Sequence, residues 1–442
     1  MVMTIDRVFA WEALDSRGVP TVACAIMLED GATGQAIVPS GASTGTHEAH
    51  EQRDGGVRFR GKGVQGAVAA VNGEIASALR GRRADDQSEI DRVLRDLDGT
   101  PTLSRLGANA VLAASVACAL AVADARRQPL WHVLAPGEAP LLPLPMVNVL
   151  SGGAHAGWLI DIQDVLVVPV GAASFGEAIE WAAGVRAATA GVLRSEGHPV
   201  DLVADEGGLA APLQSNRAAI EVVAAGIQRS GLVPGEQAAI AIDVAATHLQ
   251  DGATYRLGRD DRSLTAGELA SELRSWCDAY PVVSIEDAMG EDDIEGWRIA
   301  GELLPDIQLL GDDLFATSPV RLADGIGAEI ANAVLVKPNQ VGTLSDARRV
   351  VEVAQASGYA TVLSARSGET EEAWLADLAV GWRTAQLKVG STTRAERTAK
   401  WNRLLRIEAE CPDAIFAGRS WLAPMHPGRS SASDPGGAAP AR

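Results

Sequence analysis

Six charged residues close short apolar runs in the second half of the chain. AAIAID ends on Asp243, PVVSIE on Glu286 and IQLLGD on Asp312. AVLVK supplies Lys337, TVLSAR supplies Arg366 and AQLK supplies Lys388. Three carboxylates without His or Cys are a ligand set for a hard cation, and Mg²⁺ is the natural choice. Two lysines close to each other and to a dication should resist protonation, which lowers their pKa values. A lysine so tuned can take a proton. A metal can hold the negative charge left behind when that proton was α to a carboxylate. The chemistry implied is metal-assisted proton abstraction from an anionic substrate.

Arg366 lies in the run Ser364-Ala365-Arg366-Ser367-Gly368-Glu369. Two hydroxyls, a guanidinium and a glycine at a strand end suit an anion site, because the Arg fork matches phosphate and carboxylate geometry. Ala365 in the middle has nothing to offer a ligand.

The elements that must bring these residues together follow from their spacing. The six lie 43, 26, 25, 29 and 22 residues apart, with helical stretches between them. That is the repeat of strand–helix units in a parallel sheet, and continuous apolar runs mean strands covered on both faces. In a (β/α)8 barrel all the strand C-termini meet at one end, where active sites lie. Charges that merely ended strands at solvent would not form so complementary a set.

The first 139 residues read differently. Strand signals at 21–28 and 35–39 are followed by helical sequence over 60–130, interrupted at Asp98-Gly99-Thr100-Pro101. Three prolines in PLLPLPMVNVL at 140–150 rule out regular helix and mark a domain boundary. The expected organisation is an N-terminal domain over 1–139, a barrel over 140–420 and a disordered Ser/Gly/Pro/Ala-rich tail over 421–442.

Composition narrows the function classes. Hydrophobic residues make up 47% and charged residues 21%, ordinary for a globular protein. Aromatics are only 4%, so Ala, Val, Leu and Ile must build the core. A formal charge of -19 disfavours nucleic acid and anionic membrane as partners. A local pocket can still be basic and bind a small anionic metabolite. Cys24, Cys118, Cys277 and Cys411 are scattered without a CxxC pair, as free thiols in a reducing cytoplasm are. The opening MVMTIDRVFA has no signal-peptide pattern. The apolar stretch 108–125 is dominated by Ala and reads as a buried helix packed through small side chains, not a membrane span.

Ordered motifs from about residue 5 to 418 resemble the enolases. They include LDSRG at 14–18, VPSGASTG at 38–45, LGANA at 106–110, GGAHAG at 152–157 and DEGG at 205–208. SIED at 284–287, GDDLFAT at 311–317, VKPNQVGT at 336–343, RSGET at 366–370 and LLRIE at 404–408 continue the series. The resemblance implies an α/β protein: an enolase-type modified (β/α)8 barrel behind an α+β N-terminal capping domain. It implies that Asp243, Glu286 and Asp312 bind the tighter of two Mg²⁺ ions, with Ser43 bringing in the second. Lys337 is implied as the base for the C2 proton, Lys388 as the stabiliser of the dianionic carboxylate and Glu206 as the acid for the C3 hydroxyl. Arg366 and Ser367 are implied as phosphate ligands, and His155 as a closing-loop residue near the phosphate. A cytoplasmic homodimer or higher homo-oligomer, with LDSRG in the contact, is also implied, although Val19 stands where the family usually has Asn.

The chain departs from that pattern around one end of the substrate. Ala365 replaces a family histidine, Gln163-Asp164-Val165 replaces Gln-Glu-Phe, and Ser151 replaces an Asn. Asp is one methylene shorter than Glu, so its carboxylate falls about 1.5 Å short. Losing one well-placed donor typically costs 10²–10³ in rate, roughly 3–4 kcal/mol. The reading favoured is therefore a specialised paralogue forming an enolpyruvate-type product, similar in task to the carboxyphosphonoenolpyruvate synthases of phosphonate antibiotic pathways. An ordinary enolase converting 2-phosphoglycerate to phosphoenolpyruvate is the second reading. A non-catalytic enolase-like binding protein is the third, disfavoured because the metal ligands and lysine base are intact.

Overall fold

The computed structural model describes residues 3–42 and 45–422. Ser43 and the tail beyond Leu422 lie outside the described residues. An antiparallel meander opens the chain: β1 (Ile5–Leu14), β2 (Pro20–Leu28) and β3 (Thr33–Ile37). The helix Ala108–Arg126 packs on β2 and β3. Its small side chains let backbones touch: a Cβ at Gly34 would stand 2.1 Å from the Ala117 carbonyl oxygen. By length and composition this helix could cross a membrane, but 83% of its most apolar window is buried inside the protein, as expected for a core helix. The helical stretch is interrupted near Asp98, where Gly99 ends the helix Gln87–Asp98 in the left-handed conformation.

Eight further strands close a barrel. They are β4 (Leu144–Ser151), β5 (Asp164–Val168), β6 (Ala239–Asp243), β7 (Val282–Glu286), β8 (Gln308–Gly311), β9 (Ala333–Val336), β10 (Ala360–Ser364) and β11 (Gln386–Gly390). Around the barrel the order is β7-β8-β9-β10-β11-β4-β5-β6. Helices such as Ala266–Ala279 and Leu344–Ala356 alternate with the later strands, and their starts are capped by Thr265 and Thr343.

The expected parallel sheet needs one correction. β5 runs antiparallel to both of its neighbours, β4 and β6. The link over residues 152–163 holds only the 3₁₀ turn Gly153–Ala156, too little for the helical crossover that a parallel return requires. The consequence is functional. The start of β5, not its end, lies at the barrel mouth, so Asp164 faces Ser151 in register and joins the strand ends.

Candidate active site

Strand ends deliver the charged groups to the mouth. Asp243 and Glu286 are the last residues of β6 and β7 and are register partners. Asp312 and Lys337 follow β8 and β9 directly, and Arg366 lies two residues past β10. Lys388 differs from expectation in being the middle of β11, from where its long side chain reaches up between the carboxylates. All six side chains are at least largely buried.

Lys388 is the hub. Its Nζ donates to Asp243 Oδ2 at 2.7 Å and to Glu286 Oε1 and Oε2 at 2.8 and 2.7 Å. Lys337 Nζ forms a short contact with Asp312 Oδ2. In the protein's own field, with no dication counted, these pairings raise both lysine pKa values. Burial disfavours the Lys388 ammonium, but Asp243 and Glu286 outweigh it and hold the pKa well above the ordinary lysine value. Burial likewise opposes charge on Lys337, and Asp312 reverses the balance. The expectation counted a dication beside the amines; the protein's own atoms place carboxylates there.

The donor set fits a hard dication. Burial first, then the neighbouring charges of Asp243 and Asp312, push the Glu286 carboxyl well above the usual range, an environment that a cation relieves. A second carboxylate cluster, Asp287, Asp312 and Asp313, brings its ligand oxygens within 4.8 Å of one another. Asp287 is already spent on structure: its two oxygens accept the backbone N–H groups of Asp312 and Asp313 at 2.9 and 2.8 Å. Asp243, Glu286 and Asp312 are therefore the better ligand set, with Asp287 holding the loop that presents Asp312.

His155, Asp164 and Glu206 come together beside Asp243, the register partner of Asp164, with ligand atoms within 4.8 Å of one another. Asp164 is fully buried. Its Oδ1 accepts from Ser151 Oγ at 2.7 Å and from Asn148 in a short contact, and its Oδ2 meets His155 Nδ1 at 3.1 Å. Burial favours the neutral imidazole, yet Asp164 more than offsets it and raises the His155 pKa to about 9. Gln163 donates to Asp243 Oδ2 at 3.2 Å and leaves a buried amide oxygen without a partner, a ready acceptor for a substrate hydroxyl.

The anion corner is built but engaged. Arg366 donates from Nη1 to Glu48 Oε2 at 2.9 Å and to Asn339 Oδ1 at 3.0 Å, and from Nη2 to Glu48 Oε1 at 3.2 Å. Ser367 Oγ accepts from the Ala42 N–H at 2.6 Å and from Arg17 Nη1 at 3.2 Å. Both lone pairs are used, which leaves the hydroxyl proton to donate to a ligand. Ala365 is 5% exposed and lines the cavity with a methyl group.

One cavity of about 40 Å³ is lined by His155, Gln163, Glu206, Asp312, Lys337 and Ala365, among others. At about 10–15 Å³ per water it holds some three waters and no substrate, so binding requires side chains or loops to move. Ser43 lies outside the described residues, so its metal role stays an expectation. The profile of the enolase N-terminal domain matches residues 5–134, and that of the enolase C-terminal TIM barrel domain matches residues 139–425. The chain belongs to the enolase family. It is thus a Mg²⁺-dependent enolase-type enzyme, with chemistry of the lyase kind.

Sequence reasoning missed three groups in this enolase site. Glu48 was an ordinary loop acid until the fold set it against Arg366. Arg397, on the helix Ala395–Glu410, is fully buried and donates to the backbone carbonyls of Arg366, Ser367 and Val389. It fixes the anion loop from behind and lies 3.9 Å from Glu206 Oε1. His248, past β6, lines the cavity mouth. No spacing signal marks any of them, because each is joined to the site by tertiary contact alone.

Proposed function

We propose that this enolase-family enzyme removes the C2 proton of a 2-phosphoglycerate-like acid and forms an enolpyruvate-type product in secondary metabolism. The task would be similar to that of the carboxyphosphonoenolpyruvate synthases of phosphonate antibiotic assembly. The observation that carries the proposal is the buried methyl of Ala365, set among an otherwise complete enolate-forming apparatus. A methyl neither donates a proton nor fills the space of an imidazole, which suits a bulkier substrate group there.

Lys337 is the base in this reading and Lys388 the positive charge beside the substrate carboxylate. Asp243, Glu286 and Asp312 would hold Mg²⁺, which would supply the remaining positive charge beside an enolate. Were Asp312 to ligate the cation, Lys337 would lose the carboxylate that favours its protonated form and could accept the proton. Glu206 and the Asp164-held His155 line the same cavity and serve the departing group. Ser367 and Arg366 hold the phosphoryl or phosphonyl end, and Gln163 offers its unpaired oxygen to a hydroxyl.

The test mixes the protein with Mg²⁺ and 2-phosphoglycerate in D₂O, following phosphoenolpyruvate absorbance and C2 exchange by NMR. Exchange with slow or absent elimination is the expected result. Fast elimination would make this an ordinary enolase, and neither exchange nor elimination would remove the base from Lys337.

A further inference from the structure

The cations around the anion corner differ in one respect. Arg366 is paired with Glu48, Arg17 with Asp15 at 2.9 Å and Lys400 with Glu369 at 2.8 Å. Arg397 has no such partner. Its side chain is fully buried, and its hydrogen bonds end on backbone carbonyls: Nη1 donates to Arg366 at 2.7 Å and Val389 at 2.9 Å, and Nη2 to Ser367. The nearest carboxylate oxygens, Glu396 Oε1 and Glu206 Oε1, stand 3.6 and 3.9 Å away, beyond hydrogen bonding. Glu396 is drawn instead to Arg394 Nε at 2.9 Å. Arg397 Nε is buried without a hydrogen-bond partner among the described residues. A buried charge that lacks a hydrogen-bonded counter-charge is costly, and an orphaned polar atom beside a site needs a reason. The backbone also makes room for this side chain. Gly390 stands at φ +116, and a Cβ there would lie 2.9 Å from Arg397 Cδ and 2.8 Å from the Glu206 carbonyl oxygen.

We infer that Arg397, acting from behind the loop, is a positioning residue that sets the affinity of the site for the substrate's anionic end. This rests on the reading above that Arg366 and Ser367 hold that end, and adds where the binding charge comes from. Glu48 already offsets the charge of Arg366. The positive charge that an incoming anion completes is therefore the guanidinium behind the Arg366 and Ser367 peptides. Its shape matters as much as its charge. One planar group holds two carbonyls of the loop and one of β11, next to Lys388, and so locks the loop to the strand that carries that lysine. An ammonium in its place keeps the charge but cannot span the three carbonyls in that geometry.

Calorimetric titration of inorganic phosphate in Mg²⁺, set beside C2 exchange on 2-phosphoglycerate, tests this in wild type, Arg397→Lys and Arg397→Ala. Arg397→Ala should weaken phosphate binding by about 10²-fold, the scale of a displacement of about 1 Å, and Arg397→Lys by about tenfold. The KM for exchange should rise in step, while the saturating rate falls by less than about threefold, as expected when binding alone is lost. An arginine that only held the fold together would lower the Tm and the bound stoichiometry and leave affinity and KM unchanged. Wild-type affinity and KM in Arg397→Lys, or in a folded Arg397→Ala, overturn the inference, as does wild-type protein that binds no phosphate. The lysine variant decides the matter where the alanine variant does not fold. Phosphate affinity that depends on Arg397, without C2 exchange, removes the proposed reaction and leaves this inference standing. Exchange with phosphate affinity indifferent to Arg397 does the reverse.

Discussion

Arg366 and Glu48, 318 positions apart in the chain, form a buried two-point ion pair at the head of the cavity. The guanidinium assigned to the substrate's anionic end therefore already carries an internal carboxylate. Glu48 also accepts from the Gly45 N–H at 3.0 Å, which ties the pair to the loop leading to it. An incoming anion must share or displace Glu48, and that links anion binding to the position of this loop.

Glu48→Gln should destabilise the protein, because breaking a buried pair leaves a charge without its partner, at roughly 3–5 kcal/mol. Phosphate should restore more of the lost Tm in this variant than it adds to wild type, since it supplies the missing anion. Thermal unfolding with and without phosphate reads both effects. Equal phosphate shifts in the two proteins would mean that the anion binds elsewhere.

Lys337→Met should lower C2 exchange by about 10²–10⁴, the usual contribution of a positioned base. Chelation of Mg²⁺ should abolish exchange in wild type and variant alike. NMR of the C2 proton in D₂O is the measurement, and a variant exchanging at the wild-type rate would transfer the base role to another residue.

The His155–Asp164 contact makes a signed pH prediction. A histidine raised from 6.5 to about 9 adds stability that is complete below pH 6.5 and is lost as pH climbs toward about 9. Tm should therefore fall over that window, and His155→Gln should flatten the fall. Matching slopes for the two proteins would show that the imidazolium is not what Asp164 holds.

Ala365→His should raise 2-phosphoglycerate dehydration by up to about 10²–10³, the scale of one restored active-site donor. Adding Asp164→Glu lengthens a fully buried side chain already held by Ser151 and Asn148, an overpacking of about 1–3 kcal/mol. The double variant should gain activity at the expense of Tm. Phosphoenolpyruvate absorbance and a melting curve check the pair, and unchanged turnover would locate specificity in the closing loops.

Much of the site was legible because its residues sit at the ends of strands, and strand ends leave a period in the sequence. Asp243, Glu286, Asp312, Lys337 and Arg366 were found that way, and the barrel follows from the same repeat. Lys388 was found too, but its mid-strand place was not, since an apolar run does not say which of its residues faces the mouth. The reversed β5 was hidden because its direction depends on whether a helix fits in residues 152–163, which the strand pattern does not record.

By itself the sequence determined the apolar runs, the ligand chemistry of the carboxylates and the substitution at Ala365. These are properties of residue type and spacing, carried by the chain whatever its neighbours. Tertiary structure alone decided that Glu48 meets Arg366, that Ser151 and Asn148 hold Asp164 and that Arg397 braces the anion loop. It also set both lysine ammonium groups against carboxylates, and a pKa depends on which charges lie within a few ångströms. Such distances are set by strand order, register and loop path, and no local stretch of sequence contains them.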